Sequence, residues 1–249
     1  MGAQSRSRFV FVALMLALTV FCAVLGVWQV QRLGEKEALI AVVADRLDDP
    51  PQPLPPAEDW DDLAPDDLDF RSLSVAGRLL TDQTALVFTS LANPRGEYTG
   101  PGYWVMAPVA VDGGGTVFLN LGFIPQADAG RLDALLAVTA LADSRQFAGI
   151  GRRAERAGPF TPAPDTEAGM DWIRDPTRLA ALVGIEGAVA PVFIDLPAGP
   201  PGALPQGGET VVEFPNNHLG YALTWFGFAI LTPILLVAWW RRQRSPAKP

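Results

Sequence analysis

The sequence predicts a membrane protein in which two transmembrane helices flank an exported, mainly antiparallel β (α+β) domain, built as a sandwich or small barrel. Three observations carry that prediction. Residues 9–30 and 219–240 are uncharged apolar runs of 22 residues each. At 1.5 Å per residue each covers about 33 Å, enough for a hydrocarbon core of roughly 30 Å. Between them lie about 170 residues, enough for one domain with its own core. From residue 70 that segment breaks into short apolar or alternating runs divided by Gly, Pro and Asp, as short strands do.

Taken in order, residues 1–8 carry Arg6 and Arg8 ahead of the first span, 9–30. A cleaved signal peptide also begins with basic residues, but its apolar core is about 7–15 residues long and ends in an A-x-A site, which does not follow here. Phe21 precedes Cys22 where a lipoprotein signal would carry a small residue. Residues 31–69 form a helical extension, with Leu39, Val42, Val43 and Leu47 at helical spacing, and then an acidic, Pro-rich stretch (50–69) that reads as a solvated linker or edge loop.

The exported domain, 70–216, offers strands at 70–79, 85–91, 103–111, 116–124, 145–153, 191–196 and 209–214, with Gly113–Gly115 as a hairpin loop. Two helices interrupt them. Residues 126–142 place Leu132, Leu135, Leu136 and Leu141 near one face, and 175–184 opens on Asp175 and Pro176 and stops at Gly184, a complete pair of helix signals. The second span, 217–240, leads into a basic tail, 241–249.

Charge sets the orientation. Arg241, Arg242, Arg244 and Lys248 follow the second span as Arg6 and Arg8 precede the first, and such basic clusters stay on the cytoplasmic side. Both termini are therefore expected in the cytoplasm (or matrix), with the central domain outside. Residues 45–217 hold 11 Lys/Arg against 25 Asp/Glu, a net charge of −14. A domain that acidic excludes nucleic acid as a partner. The one cysteine, Cys22, lies inside a span, which leaves no disulfide or thiol pair outside.

The parts for catalysis are few. There is one histidine, His218, so a nucleophilic triad or a multi-histidine zinc site cannot be assembled elsewhere. Acidic pairs such as Asp61/Asp62 and Asp66/Asp67 sit in the Pro-rich stretch, where solvation explains them. The Gly-rich GGGTVFLNLG lacks both the phosphate-loop and dinucleotide spacings. His218 stands where the second span begins. In a helix from Asn217, Tyr221, Ala222, Trp225 and Ala229 share its side, with Trp225 about 10 Å deeper. A neutral imidazole is a good iron ligand and an indole a flat apolar wall, so the pair suits a haem approached from the membrane. An interface anchor is the alternative reading, since His and aromatic residues are common at that depth and Trp239/Trp240 occupy the opposite interface.

The motifs resemble the surfeit locus protein 1 family of cytochrome oxidase assembly factors. The resemblance rests on LGVWQVQRLGEK (25–36), with Leu25, Gly26, Trp28, Gln29 and Arg32; on GPGYWVMAPV (100–109); on VFLNLGFIP (117–125); and on PVFIDL followed by GGETVVEFPNNHLGYALTWFG. It covers about residues 25–230. Leu121 departs from the pattern, standing where the family usually has a basic residue, so no role of that base transfers.

The resemblance implies a membrane-anchored factor that helps to build the haem a/copper core of a terminal oxidase and is not an enzyme. It implies haem a as a transiently bound cofactor, with His218 as axial iron ligand and Trp225 beside it. The expected partners are oxidase subunit I, haem A synthase as a further candidate, and membrane lipid. Tyr221, Trp28 and Arg32 complete the expected site, Arg32 facing a haem propionate or snorkelling to the interface. No Arg- and Ser-rich presequence precedes the first span, which predicts a bacterial inner membrane. A cofactor-free scaffold for subunit I is the rival reading, and a membrane-anchored periplasmic enzyme the weaker one.

Overall fold

In the computed structural model, which describes residues 3–138, 145–210 and 216–244, the chain opens with a long helix, α1 (Ala3–Asp48). There follow β1 (Gln52–Pro53), α2 (Pro65–Leu68), β2 (Ser72–Leu79), β3 (Ala85–Leu91), β4 (Gly100–Val111) and β5 (Thr116–Pro125). After a 3-10 segment come α3 (Leu132–Val138), β6 (Gln146–Arg153), β7 (Met170–Asp171), α4 (Pro176–Val183), β8 (Val189–Asp195) and finally α5 (His218–Arg244). The chain divides into two compact units, one of Met1–Val42 with Val212–Pro249 and one of Val43–Val211.

The second unit is a small barrel. Strands β2, β6, β8, β5 and β4 pair in that order, and β4 closes the ring by pairing Val109–Val111 with β2. The earlier half of β4, Gly100–Met106, pairs instead with β3, so one long strand serves both the barrel and a side flap. Every barrel pairing is antiparallel except β5–β8, which is parallel. The two-residue strands β1 and β7 add parallel pairings at the edges. The expected small barrel is thus what forms, with a mixed sheet.

Alternation builds its interior. Leu73 and Val75, then Val105, Ala107 and Val109, Val117 and Leu119, and Val192 and Ile194 point inward at every second position. The opposite faces of β4, β5 and β8 are also buried, because Met106, Phe118 and Phe193 meet Leu179 and Ala180 of α4. That double burial explains why 105–109 and 116–124 read as continuous apolar runs. The α4 signals hold: Asp175 accepts from the amides of Thr177 (2.9 Å) and Arg178 (3.3 Å), and Gly184 ends the helix at φ 71°. Such a cap contributes about 1 kcal/mol.

Three stretches differ from the sequence reading. Residues 50–69 are not simply a solvated linker. Trp60, 5% exposed, and Leu68 pack into the barrel core, with the Trp60 indole donating to the Pro55 carbonyl at 2.8 Å, while Asp61, Asp62, Asp66 and Asp67 stay exposed. Two core residues outweigh the acid count because acids need only one exposed face. The helix expected at 126–142 begins as a 3-10 segment, Gln126–Arg131, and becomes α-helical at Leu132; its residues from 139 lie outside the described ones. Of the strand expected at 209–214, Glu209 and Thr210 are coil and the remainder lies outside the described residues.

The first unit is an antiparallel helix pair. The Arg8 guanidinium donates to Gln243, Phe11 meets Trp239 at a tilt with ring centroids 4.7 Å apart, Phe21 meets Trp225, and Gln29 meets His218. The facing residues recur at alternating three- and four-residue steps: Thr19, Cys22, Gly26 and Gln29 on α1, and His218, Ala222, Trp225, Ala229 and Thr232 on α5. That is coiled-coil spacing, with small residues that let the backbones approach. The outward faces expose Phe9, Leu14, Val24, Leu223, Ile230 and Ile234 to the surroundings. Both helices are long and apolar enough to cross a membrane.

Candidate functional site

The mouth of the helix pair brings the expected residues together. His218 is the first residue of α5, and its Nδ1 lies 2.7 Å from Oε1 of Gln29, which is 8% exposed. A carboxamide oxygen only accepts, so with Oε1 facing the ring Nδ1 is the donor of this contact. Among the described residues Nε2 has no hydrogen-bond partner.

One side of the pair below this contact is aromatic. Trp225 packs edge-on against Phe21 and Phe228, each with ring centroids 6.2 Å away. At about 100° of rotation per residue, Trp28 and Arg32 of α1 and Tyr221 of α5 fall on that same side. Phe21, Trp28, Tyr221 and Phe228 are all exposed there, so the flank is an apolar wall open to its surroundings. Arg32 lies above it, its guanidinium 5.8 Å from the centroid of Trp28 and its Nη1 2.6 Å from Glu35. Both members of that ion pair are more than half exposed. Such a pair contributes little and is readily exchanged for another anion.

Of the five expected site residues, Trp225 and His218 are on the facing side of α5, and Tyr221, Trp28 and Arg32 flank it. Ala222, placed by the sequence on the His218 side, is buried against α1. Gln29, Phe21 and Phe228 carry no role in the sequence reading. Gln29 could have been found, being the strongest polar group in an otherwise apolar run; Phe21 sits seven residues before Trp28, two helical turns on the same face.

A second polar cluster lies in the barrel. Buried Asp195 accepts from Asn120 Nδ2 and Thr210 Oγ1, each at 2.8 Å, with Arg152 and Arg174 at 3.8 and 3.9 Å. Arg174 stacks over Trp104 and Phe193 and binds Glu155. Burial alone would raise the Glu155 carboxyl, but the charge and hydrogen bonds of Arg174 prevail and hold it below its ordinary value. Each group here has its partner, the mark of a structural network. Leu121 belongs to the same strand. Met106 pairs with Asn120 and Val105 with Gly122, so Leu121 is the extra residue of a β-bulge, and it points into the core. Gly122, at φ 130°, lets the backbone of Gln206 approach where a Cβ would stand 2.3 Å from it. Among the described residues no group of three or more His, Cys, Asp or Glu is placed to hold a metal ion.

The fold and this site define a barrel-bearing protein with two membrane-type helices that pair along a seam of small residues and meet through His218 and Gln29 at one end. The model of the SURF1 family matches residues 16–230. Among curated proteins, the chain is 30% identical to surfeit locus protein 1 of Gallus gallus over 252 residues, covering 94% of this chain and 75% of the relative. It is 32% identical to a SURF1-like protein of Drosophila melanogaster over 240 residues (88% and 72%) and 29% identical to surfeit locus protein 1 of Homo sapiens over 261 (94% and 78%). The chain belongs to the SURF1 family.

Proposed function

We propose that the protein is an assembly factor for a haem-copper terminal oxidase, holding haem a at the outer membrane interface and assisting its insertion into subunit I. Membership of the family supports the oxidase part of this reading. The observation that carries the haem part is His218, with Nδ1 engaged by Gln29, no partner on Nε2 among the described residues, and the exposed Tyr221 one turn further along α5. The residues fit the group. His218 would supply a ring nitrogen to the iron, Trp225, Tyr221 and Trp28 the wall for the macrocycle, and Arg32 a charge-assisted contact to a propionate in exchange for Glu35. When bound, haem a supplies the iron centre that the oxidase requires. Subunit I is the proposed recipient and haem A synthase a proposed donor. The proposed setting is a bacterial inner membrane, with both termini cytoplasmic and the barrel in the periplasm.

The test is the haem content of equal amounts of purified wild-type and His218→Ala protein, each co-expressed with the enzyme that makes haem a. The variant is expected to insert and accumulate while losing most of its haem a, and Trp225→Ala to lose less, since it removes packing area and keeps the ligand. Equal haem in wild type and His218→Ala would replace the haem reading with that of a cofactor-free scaffold for subunit I.

A further inference from the structure

Gln29 and His218 form the polar pair at one end of a seam of small and apolar residues, with Arg8 and Gln243 at the other, and Gln29 is more than nine-tenths buried. A carboxamide in that place needs a partner, and it takes one ring nitrogen of the chain's single histidine. The choice of nitrogen matters. An imidazole whose Nδ1–H is held by an oxygen has its Nε2 lone pair fixed in direction, and the hydrogen bond makes that nitrogen a better donor to a metal. Nε2 is the nitrogen left without a partner among the described residues, and the exposed Tyr221 follows His218 by one turn of α5.

We infer that Gln29 is a positioning residue, which holds His218 in its Nδ1-protonated form and aims Nε2 at the iron of a bound haem. The inference rests on the haem reading above and adds to it the residue that prepares the ligand before haem arrives. Gln29 touches neither iron nor macrocycle in this scheme; it acts through the ring. A purely structural Gln29 would hold the helices together without regard to which nitrogen it engages.

Because the chain has one histidine, full-length protein with a tag free of histidine and labelled with 15N-histidine reports on this ring alone. Recorded without haem, at a pH where the ring is neutral, the wild-type spectrum is expected to show Nδ1 protonated and Nε2 bare. Gln29→Leu should lose that preference, and Gln29→Glu, which keeps an acceptor oxygen, should retain it. Hemin titration, followed at the Soret band, should then give a Kd about 10- to 100-fold weaker for Gln29→Leu, the usual effect of removing such a support, with recovery in Gln29→Glu. The iron–histidine stretch of the reduced, hemin-loaded protein should fall in Gln29→Leu and rise in Gln29→Glu. If Gln29→Leu does not accumulate, the wild-type ring spectrum and the Gln29→Glu shift still decide. A wild-type ring protonated mainly on Nε2 overturns the inference, as does a Gln29→Leu protein with unchanged hemin affinity and stretch. Hemin bound equally by wild type and His218→Ala overturns the ligand reading beneath it; the haem-free spectrum separates that result from a failure of Gln29 itself.

Discussion

The closeness of the two helices rests on Gly26, and enlarging it should open the seam. A Cβ at Gly26 would stand 2.6, 2.8 and 2.9 Å from three atoms of the Phe226 ring. Carbon atoms pack best at about 3.5–4.0 Å, so the ring or the helix must retreat by about 1 Å. Alanine asks only for a tilt of Phe226, and the gain of about 1 kcal/mol in helix propensity over glycine offsets much of the cost. Gly26→Leu adds three more carbons on the same line, and overpacking of that kind costs about 1–3 kcal/mol. Helix content should not fall, because leucine is also a better helix former than glycine; the pairing should loosen instead. Cys22 reports it. It is the only cysteine, 2% exposed, and lies one turn from Gly26 on the same seam. With tenfold per 1.36 kcal/mol, the rate of Cys22 labelling by a small membrane-permeant thiol reagent should rise about 5- to 150-fold in Gly26→Leu. Gly26→Ala should change it far less. A labelling rate in Gly26→Leu equal to wild type would show that Gly26 is not a point of close approach.

Two further outcomes are expected. Asp195→Ala should destabilise the barrel by about 3 kcal/mol, since it strands the Asn120 amide and leaves Arg152 and Arg174 short of a counter-charge. Asp195→Asn should cost less, because it keeps the acceptor oxygen; equal melting of both variants in detergent would refute the network account. A reporter active only outside the cytoplasm should be active when fused near Asp112, in the hairpin between β4 and β5, and silent after Lys248, and the reverse pattern would overturn the proposed orientation.

The helices were legible in the sequence because length and lack of charge suffice to announce them, and α4 because Asp175, Pro176 and Gly184 are local signals. The barrel was legible strand by strand but not in its closure. The parallel β5–β8 pairing and the division of β4 between β3 and β2 depend on contacts distant in sequence, and no local pattern encodes them. Trp60 escaped for a related reason: its burial is decided by the barrel end it covers, while its neighbours are acids and prolines. Leu121, a departure from a family pattern in the sequence, becomes intelligible only with the bulge, since the extra residue of β5 has a core to enter.

The helix pair shows why one polar contact can matter more than its energy. A seam of Thr19, Cys22, Gly26, Ala222 and Ala229 packs closely, yet such residues resemble one another, and a slide of one heptad, about 10 Å, would still bring small residues together. That slide would set Gln29 against Trp225, leaving its carboxamide without a partner in an apolar seam, and would carry His218 out to the level of Lys36. A hydrogen bond between membrane helices contributes only about 0.6 kcal/mol on average, but stranding a buried amide costs about 1–3 kcal/mol. The asymmetry selects a single register, which Arg8 and Gln243 repeat at the other end. In that register Phe21 meets Trp225, and Trp28 and Tyr221 share a side. The contact that fixes the histidine is therefore the same one that assembles the aromatic flank beside it.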